Sequence, residues 1–339
     1  MLDRGTILVT GGAGFIGSAL IWALNARGHQ RILVCDLLDR SEKWRNLVPL
    51  QFIDLVSPEA LLAALERGSL LDDVRTVLHL GACASTTETD AAYLLRNNTE
   101  FTRALAEWSL EHEARFVYAS SAATFGALEG TIGEDTPLTA LRPLNMYGYS
   151  KHLFDLYAAQ RGYLSRIAGL KYFNVFGPNE AHKGDMRSVV SKAFDQIGQT
   201  GAVRLFRSDR PAFQDGEQRR DFLYVKDAVQ MTLHLAASPD AHGLFNIGSG
   251  QAHTWNDLTR AVFAAMDRAP RIEYIDMPAA LRGKYQYHTE ASLGRLRASG
   301  YAAAPTPLAD AIADYVRHYL APERRLGDEA GATTAAGVR

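Results

Sequence analysis

Apolar and polar positions along the chain fall into two alternating rhythms. Residues 6–10 form a short apolar, β-branched run, as a buried strand requires. Residues 15–27 then repeat with helical spacing, and Gly28 is a plausible stop. A second strand is expected at 31–35, ending at Asp36, and further apolar runs lie at 74–80 and 115–119. Between those two, 89–111 reads as a long amphipathic helix. Residues 147–161 predict another helix, followed by a strand at 166–172. Strands alternating with helices argue for an α/β Rossmann fold, a doubly wound parallel sheet.

Past Phe173 the pattern loosens. Helices are expected near 188–199, 225–237 and 254–266, with short strands near 203–206, 243–247 and 271–274. Thr254 followed by Asp257 resembles a capping box with the shorter acid. Residues 1–173 are therefore expected to form the dinucleotide-binding domain. Residues 174–320 should form mostly a smaller α/β substrate-binding domain, with segments free to cross back. Residues 326–339 are rich in Gly, Ala and Thr without periodicity and read as a disordered tail.

Composition narrows the class. The chain has 339 residues, 47% of them hydrophobic, which suffices for a large core and suggests more than one unit. A formal net charge of -2 gives no nucleic-acid footprint. Two cysteines, Cys35 and Cys83, make a disulfide framework improbable and fit a reducing compartment. No apolar stretch approaches a membrane span, and the first strand begins almost at Met1, so a cytoplasmic protein without a signal peptide is expected. The ten histidines show no metal-ligand spacing, and no metal is expected. His79, inside an apolar strand, reads as a hydrogen-bonded core residue.

Gly11, Gly14 and Gly17 carry the first chemistry. They follow a strand and open a helix, with an acid, Asp36, about twenty residues on. That context predicts a dinucleotide cradle, whose free N–H groups at the helix start receive a pyrophosphate. Asp36 stands where an acid accepts from the adenosine ribose, which alone favours NAD. Arg40 and Lys43 follow closely and fit either a 2′-phosphate site or a solvated loop. Asp54 fits either an adenine contact or a turn at a strand end.

Tyr147 and Lys151 carry the second. Four residues apart, they share one helix face. A neighbouring ammonium favours phenolate, so Tyr147 could take a proton from a substrate hydroxyl as hydride leaves its carbon. Tyr149, at i+2 from Lys151, lies off that face. Ser120 and Ser121 end a strand, and the period of two turns only one of them toward the site. Cys83 reads as a small packed residue rather than a nucleophile. Arg219, Arg220 and Asp221 could form a surface ion pair, but a diphosphate needs cations, which favours Arg220 as a substrate contact.

These motifs resemble the extended short-chain dehydrogenase/reductase superfamily of nucleotide-sugar epimerases and dehydratases, across nearly the whole chain. The closer likeness is to its branch acting at C6 of ADP-heptose. It rests on Gly81-Ala82-Cys83, Tyr118-Ala119-Ser120-Ser121-Ala122-Ala123-Thr124, Asn145-Met146-Tyr147-Gly148-Tyr149-Ser150-Lys151, Tyr172-Phe173-Asn174-Val175-Phe176-Gly177-Pro178 and, most discriminating, His182-Lys183-Gly184. The resemblance implies an isomerase that interconverts the C6 epimers of ADP-glycero-manno-heptose for the lipopolysaccharide inner core. It implies Ser121, Tyr147, Lys151 and Lys183 as catalytic residues, with Tyr147 and Lys183 as the two proton-transfer groups.

Cofactor contacts implied are Gly11, Gly14, Phe15, Ile16, Gly17, Asp36, Leu37, Lys43, Asp54, Leu80, Gly81, Ala82, Cys83, Asn97, Tyr147, Lys151, Val175 and Lys183. Substrate contacts implied are Ser121, Asn174, Asp185, Lys192, Phe206, Arg220 and Tyr285. The family prefers NADP, which tips Arg40 and Lys43 toward a 2′-phosphate, with NAD the other possibility. It forms homo-oligomers, a pentamer in this branch. The chain departs from the family at Leu37, Leu80 and Pro58, and segment 207–219 is longer than in shorter members.

Three rivals are separable. A 4,6-dehydratase needs an acid and a base beside the catalytic hydroxyl, where this chain has Ala122 and Ala123. A UDP-sugar 4-epimerase needs only Ser, Tyr and Lys, and has no use for Lys183. A non-catalytic cofactor sensor has no use for the trio at all.

Overall fold

The computed structural model describes residues 2, 5–67, 72–278 and 286–328. Residues 329–339, most of the segment read as a disordered tail, and Tyr285 lie outside them.

Seven parallel strands form the main sheet. Across it they run Gly243–Ile247, Ala168–Tyr172, Arg115–Ser121, Val74–His79, Thr6–Thr10, Ile32–Cys35 and Asp54–Val56. Nearly every side chain of the central strands is buried, which explains their continuous apolar runs. One face is covered by the helices Phe15–Asn25 and Val225–Ala237, which share a core with the sheet. The other is covered by Phe101–Glu111 and Met146–Gln160, with Trp108 and Phe154 packed beneath. The chain moves outward from Thr6–Thr10 to Asp54–Val56, then returns to Val74–His79 on the opposite side. A cleft opens outside the carboxyl ends of the strands at such a reversal.

Residues after 173 serve two layers. Gly243–Ile247 completes the main sheet beside Ala168–Tyr172. A second, mixed sheet joins Ala252–Thr254, Arg219–Tyr224, His288–Ala291 and Gly130–Ile132, with Asn174–Phe176 pairing the Phe222–Tyr224 end of Arg219–Tyr224. Val203–Phe206 and Ile272–Ile275 pair separately. This layer closes over the carboxyl edge of the main sheet and forms the far wall of the cleft.

Local chemistry sets the element ends. Thr254 and Asp257 form a full capping box for Trp255–Ala265: Asp257 N–H donates to Thr254 Oγ1 at 2.9 Å, and Thr254 N–H donates to Asp257 Oδ2 at 3.1 Å. The expected helix over 89–111 is one rod in three parts, Ala91–Leu94, a π-helical turn Leu95–Glu100, and Phe101–Glu111. The π turn points Asn98 inward. Its amide accepts from Cys83 N–H at 2.8 Å and donates to Cys83 O and to Ser150 Oγ, both at 3.0 Å.

Candidate active site

A cleft of about 740 Å³ lies at the strand reversal. The glycine-rich turn forms its floor. A Cβ on Gly17 would stand 2.1 Å from Gly11 O, so only glycine lets the helix start beneath the turn. The helix Phe15–Asn25 begins after Gly14 with no side-chain cap, leaving its first N–H groups without a capping side chain at the cleft. This uncapped N-terminus suits a pyrophosphate, and the residues present fit a dinucleotide. Asp36 sits at the end of the next strand. Its Oδ2 accepts from Ala13 N–H at 2.8 Å, and its Oδ1 accepts from Leu37 N–H at 2.8 Å and from Lys43 Nζ at 2.9 Å.

One wall comes from a strand end and a helix start. Asn145 caps Met146–Gln160, accepting from Gly148 N–H at 2.8 Å. A Cβ on Gly148 would lie 2.7 Å from Ala123 O, so this glycine allows the Tyr147 turn to press against the turn that follows Ser121. Tyr147 and Ser121 both line the cleft there. Burial raises the Tyr147 phenol, and the Ser121 hydroxyl opposes that rise. Lys151 is buried and donates to Ala119 O at 2.9 Å. Burial lowers its ammonium to about 8, against the charge of Asp155. Ser120 turns the other way and donates to Asp155 at 2.8 Å, while Tyr149 is 46% exposed.

Lys183 joins the lining from the Phe15 side of the cleft, on the 3-10 stretch Ala181–Met186. Its Nζ lies 5.3 Å from the centre of the Phe15 ring. Burial lowers it from the usual lysine range, with Glu180 opposing and Lys192 assisting. Glu180 is fully buried and accepts from Gly177 N–H, Ser188 N–H and Ser188 Oγ, which ties both ends of the Lys183 loop together. Beside it, His182 is lowered to about 4 by burial and by the charges of Lys183 and Lys43.

The cleft brings together Gly11, Gly14, Phe15, Ile16, Gly17, Asp36, Lys43, Leu80, Gly81, Ala82, Ser121, Tyr147, Lys151, Asn174, Val175, Lys183 and Arg220. Others named from the sequence stand apart from its lining. Leu37 is exposed next to Asp36, whereas Asp54 is exposed at the start of its strand, opposite Leu33 and away from the carboxyl edge. Cys83 sits between the lining residues Ala82 and Ala84, and Asn97 donates to Tyr93 O at 2.8 Å. Asp185 is exposed, Lys192 lies on the helix Val189–Thr200, and Phe206 ends a strand of the separate pair. Asp221 accepts from Ser249, Gly250 and Ala291 backbone N–H groups, which leaves Arg220 turned to the cleft.

The sequence motifs contain Asn145 and His182 without assigning them a role, and Met186, Gln286 and Thr289 line the cleft unannounced. Sequence reasoning also missed Asn46, whose amide donates to Ala13 O and Asn179 O, both at 3.0 Å, and so joins the glycine-rich turn to the Lys183 loop. The Asn145 cap alone had a readable signal, an Asn just before a helical run. Among the described residues no helix is long and apolar enough to cross a membrane, and no group of three His, Cys, Asp or Glu side chains is placed to hold a metal ion.

Comparison with known proteins gives a consistent picture. The chain is 55% identical over 317 residues to the ADP-L-glycero-D-manno-heptose-6-epimerase of Nitratidesulfovibrio vulgaris, covering 93% of this chain and 98% of that one. It is 41% identical to the enzyme of that name from Fusobacterium nucleatum, covering 94% and 98%. The crystal structure of the Helicobacter pylori ADP-L-glycero-D-manno-heptose-6-epimerase superposes with a TM-score of 0.78 at 26% identity, covering 94% of this chain and 96% of that one. Residues 7–248 match the profile of a single family, and they hold both the glycine-rich turn and the Ser121, Tyr147 and Lys151 wall. The chain belongs to the NAD dependent epimerase/dehydratase family.

Proposed function

We propose that this chain is an isomerase that interconverts ADP-D-glycero-D-manno-heptose and ADP-L-glycero-D-manno-heptose at C6, using NADP, in the supply of heptose for the lipopolysaccharide inner core. One observation carries the reading. In a chain 55% identical to an enzyme of that name, Lys183 lines the same cleft as Ser121, Tyr147 and Lys151, from a separate loop that packs over Phe15. Two acid–base groups on separate elements suit an epimerisation.

When bound, the nicotinamide supplies reversible acceptance of a hydride from C6. The chain's residues handle the proton and the oxygen. Ser121 and Tyr147 hold the substrate hydroxyl, and Tyr147 takes its proton. Lys151, charged and four residues on, favours the phenolate that must form. Rotation about the exocyclic C5–C6 bond then presents the other face of the transient ketone. Its oxygen leaves Tyr147 and needs a second proton partner, which Lys183 supplies. Arg220 and Asn174 contact the nucleotide sugar. A lone Ser, Tyr and Lys set, enough for a UDP-sugar 4-epimerase, gives Lys183 no task.

Under this reading the enzyme works in the cytoplasm as a homo-oligomer. Incubation with each ADP-heptose epimer, followed by NMR, should yield the same equilibrium mixture from both sides, and a UDP-hexose control should remain unchanged. Turnover at C4 of the UDP-hexose alone would replace this function with a 4-epimerase. Bound cofactor without turnover of any nucleotide sugar would indicate a sensor.

A further inference from the structure

A fully buried ion pair lies beneath the catalytic wall. Lys171 Nζ is 2.7 Å from Asp155 Oδ2, and the two side chains are 1% and 0% exposed. Asp155 stands one helical turn after Lys151, on the same face. Lys171 lies in the strand beside Ser120, with Ser120 opposite Lys171 and Ser121 opposite Tyr172 in register. Two desolvated charges are a costly way to fill a core, since apolar residues of similar volume often stabilise as well or better. This pair therefore calls for a reason other than stability.

The hydrogen bonds supply one. Asp155 accepts from Tyr118 OH and from Ser120 Oγ, each at 2.8 Å. Lys171 also donates to Thr124 Oγ1 at 2.6 Å, and Thr124 spends its single proton on Ser121 O at 2.7 Å. Lys151 donates to Ala119 O at 2.9 Å. Four successive residues, Tyr118, Ala119, Ser120 and Ser121, are thus each fastened to the set formed by Lys151, Asp155 and Lys171, the last through Thr124. The network ends on the backbone of Ser121, whose own hydroxyl faces the cleft.

We propose that Asp155 and Lys171 are positioning residues for the reaction: through Ser120 and Thr124 they fix the strand end and turn that aim Ser121 at Tyr147. Neither touches the cleft. Because the hydroxyl of Ser121 has to meet both the substrate oxygen and the phenol, a shift of about 1 Å would cost on the order of 10²-fold in turnover. The proposal rests on the epimerase reading for its activity assay, and a structural readout keeps the two separable.

The test compares Lys171→Met, Lys171→Arg and Thr124→Val in the full chain carrying its cofactor. Thr124→Val keeps both members of the ion pair and removes the hydroxyl that joins Lys171 to Ser121 O. Lys171→Met should lower kcat on the order of 10²-fold, with KM for ADP-heptose within about twofold and cofactor content unchanged. Lys171→Arg should recover most of the loss, and Thr124→Val should fall between. Wild-type kcat in Thr124→Val or in a folded Lys171→Met overturns the proposal. So does a loss of kcat, KM and cofactor together that Lys171→Arg does not rescue, since that marks a folding element. If Lys171→Met does not fold, Thr124→Val decides. If the wild-type protein does not turn over ADP-heptose, the functional reading fails alone. Crystal structures then decide the positioning role: the Ser121 hydroxyl should be displaced by about 1 Å in Thr124→Val, and an unmoved hydroxyl overturns the proposal.

Discussion

Asp36 and Lys43 form a largely buried ion pair, 2.9 Å from Oδ1 to Nζ, at the adenosine end of the cleft. Both oxygens of Asp36 are already engaged, one by Ala13 N–H and the other by Leu37 N–H and Lys43. A ribose 2′-hydroxyl would have to compete for this carboxylate. A 2′-phosphate would instead share the Lys43 cation. Lys43→Ala should therefore weaken NADP by about 10–100-fold, as for a lost hydrogen bond to a charged group, and leave NAD nearly unchanged. Calorimetry on protein stripped of cofactor measures both. An equal loss for the two cofactors would make Lys43 a simple partner of Asp36.

Tyr147→Phe should lower turnover by about 10²–10⁴-fold while substrate binding changes little, because the ring remains. The pH profile should carry the mark of Lys151. Burial lowers this ammonium to about 8, and only its charged form favours the phenolate. The active form is thus the protonated one, and kcat should fall as pH rises through about 8. A rate that stays flat from pH 7 to 10 would separate Lys151 from the proton transfer.

Lys183→Met should cost turnover about as much as Tyr147→Phe, ~10²–10⁴-fold, and should retain cofactor. Lys183 packs over Phe15 at the helix start, so loss of charge alone leaves the apolar contact in place. Each single variant should still perform half-reaction chemistry on a 6-aldehyde analogue, because one acid–base group remains. Epimerisation by Lys183→Met at near wild-type rate would leave a single-base mechanism through Tyr147.

Much of this architecture is legible in local pattern. The runs that become Val203–Phe206, Gly243–Ile247 and Val225–Ala237 show their period without outside help. Thr254 and Asp257 announce a helix start because the cap lies within four residues. The glycine-rich turn and the tyrosine–lysine pair are legible for the same reason: their chemistry sits in a few consecutive positions. What escapes is set by distant partners. The strand Arg219–Tyr224 shows no clean alternation because Arg219 and Arg220 are paired on both sides and Asp221 is buried among backbone donors. Asp155 looks like any helix acid until Lys171, sixteen residues away, meets it in the core. Asn98, rather than its neighbour Asn97, holds the Cys83 loop because the π turn rotates it inward, and no sequence period reports a π turn.

His79 yields a prediction about acid stability. Its Nδ1 lies 2.7 Å from Thr10 Oγ1 and its Nε2 lies 2.8 Å from Thr102 Oγ1. Thr102 donates its proton to Asn98 O at 2.6 Å, so it must accept from Nε2–H. Nδ1 therefore carries no proton and accepts from the Thr10 hydroxyl, which in turn accepts Gly81 N–H at 3.0 Å. A neutral imidazole completes this chain. A second ring proton would leave the Thr10 hydroxyl without an acceptor at the foot of the cleft. Burial and the charge of Lys151 push His79 well below its ordinary 6.5. Its folded value is lowered, so the stability it contributes is present above the unfolded value and is lost as pH falls below about 6.5. The slope from this group approaches ~1.4 kcal/mol per pH unit. His152, His182 and His242 are lowered as well, so the wild-type profile alone does not isolate His79. His79→Gln should be less stable at pH 8 yet lose stability more slowly between pH 6.5 and 5, by about that slope. Urea unfolding at each pH measures the difference, and parallel profiles for the two proteins would show that His79 takes up its proton without opening this chain of bonds.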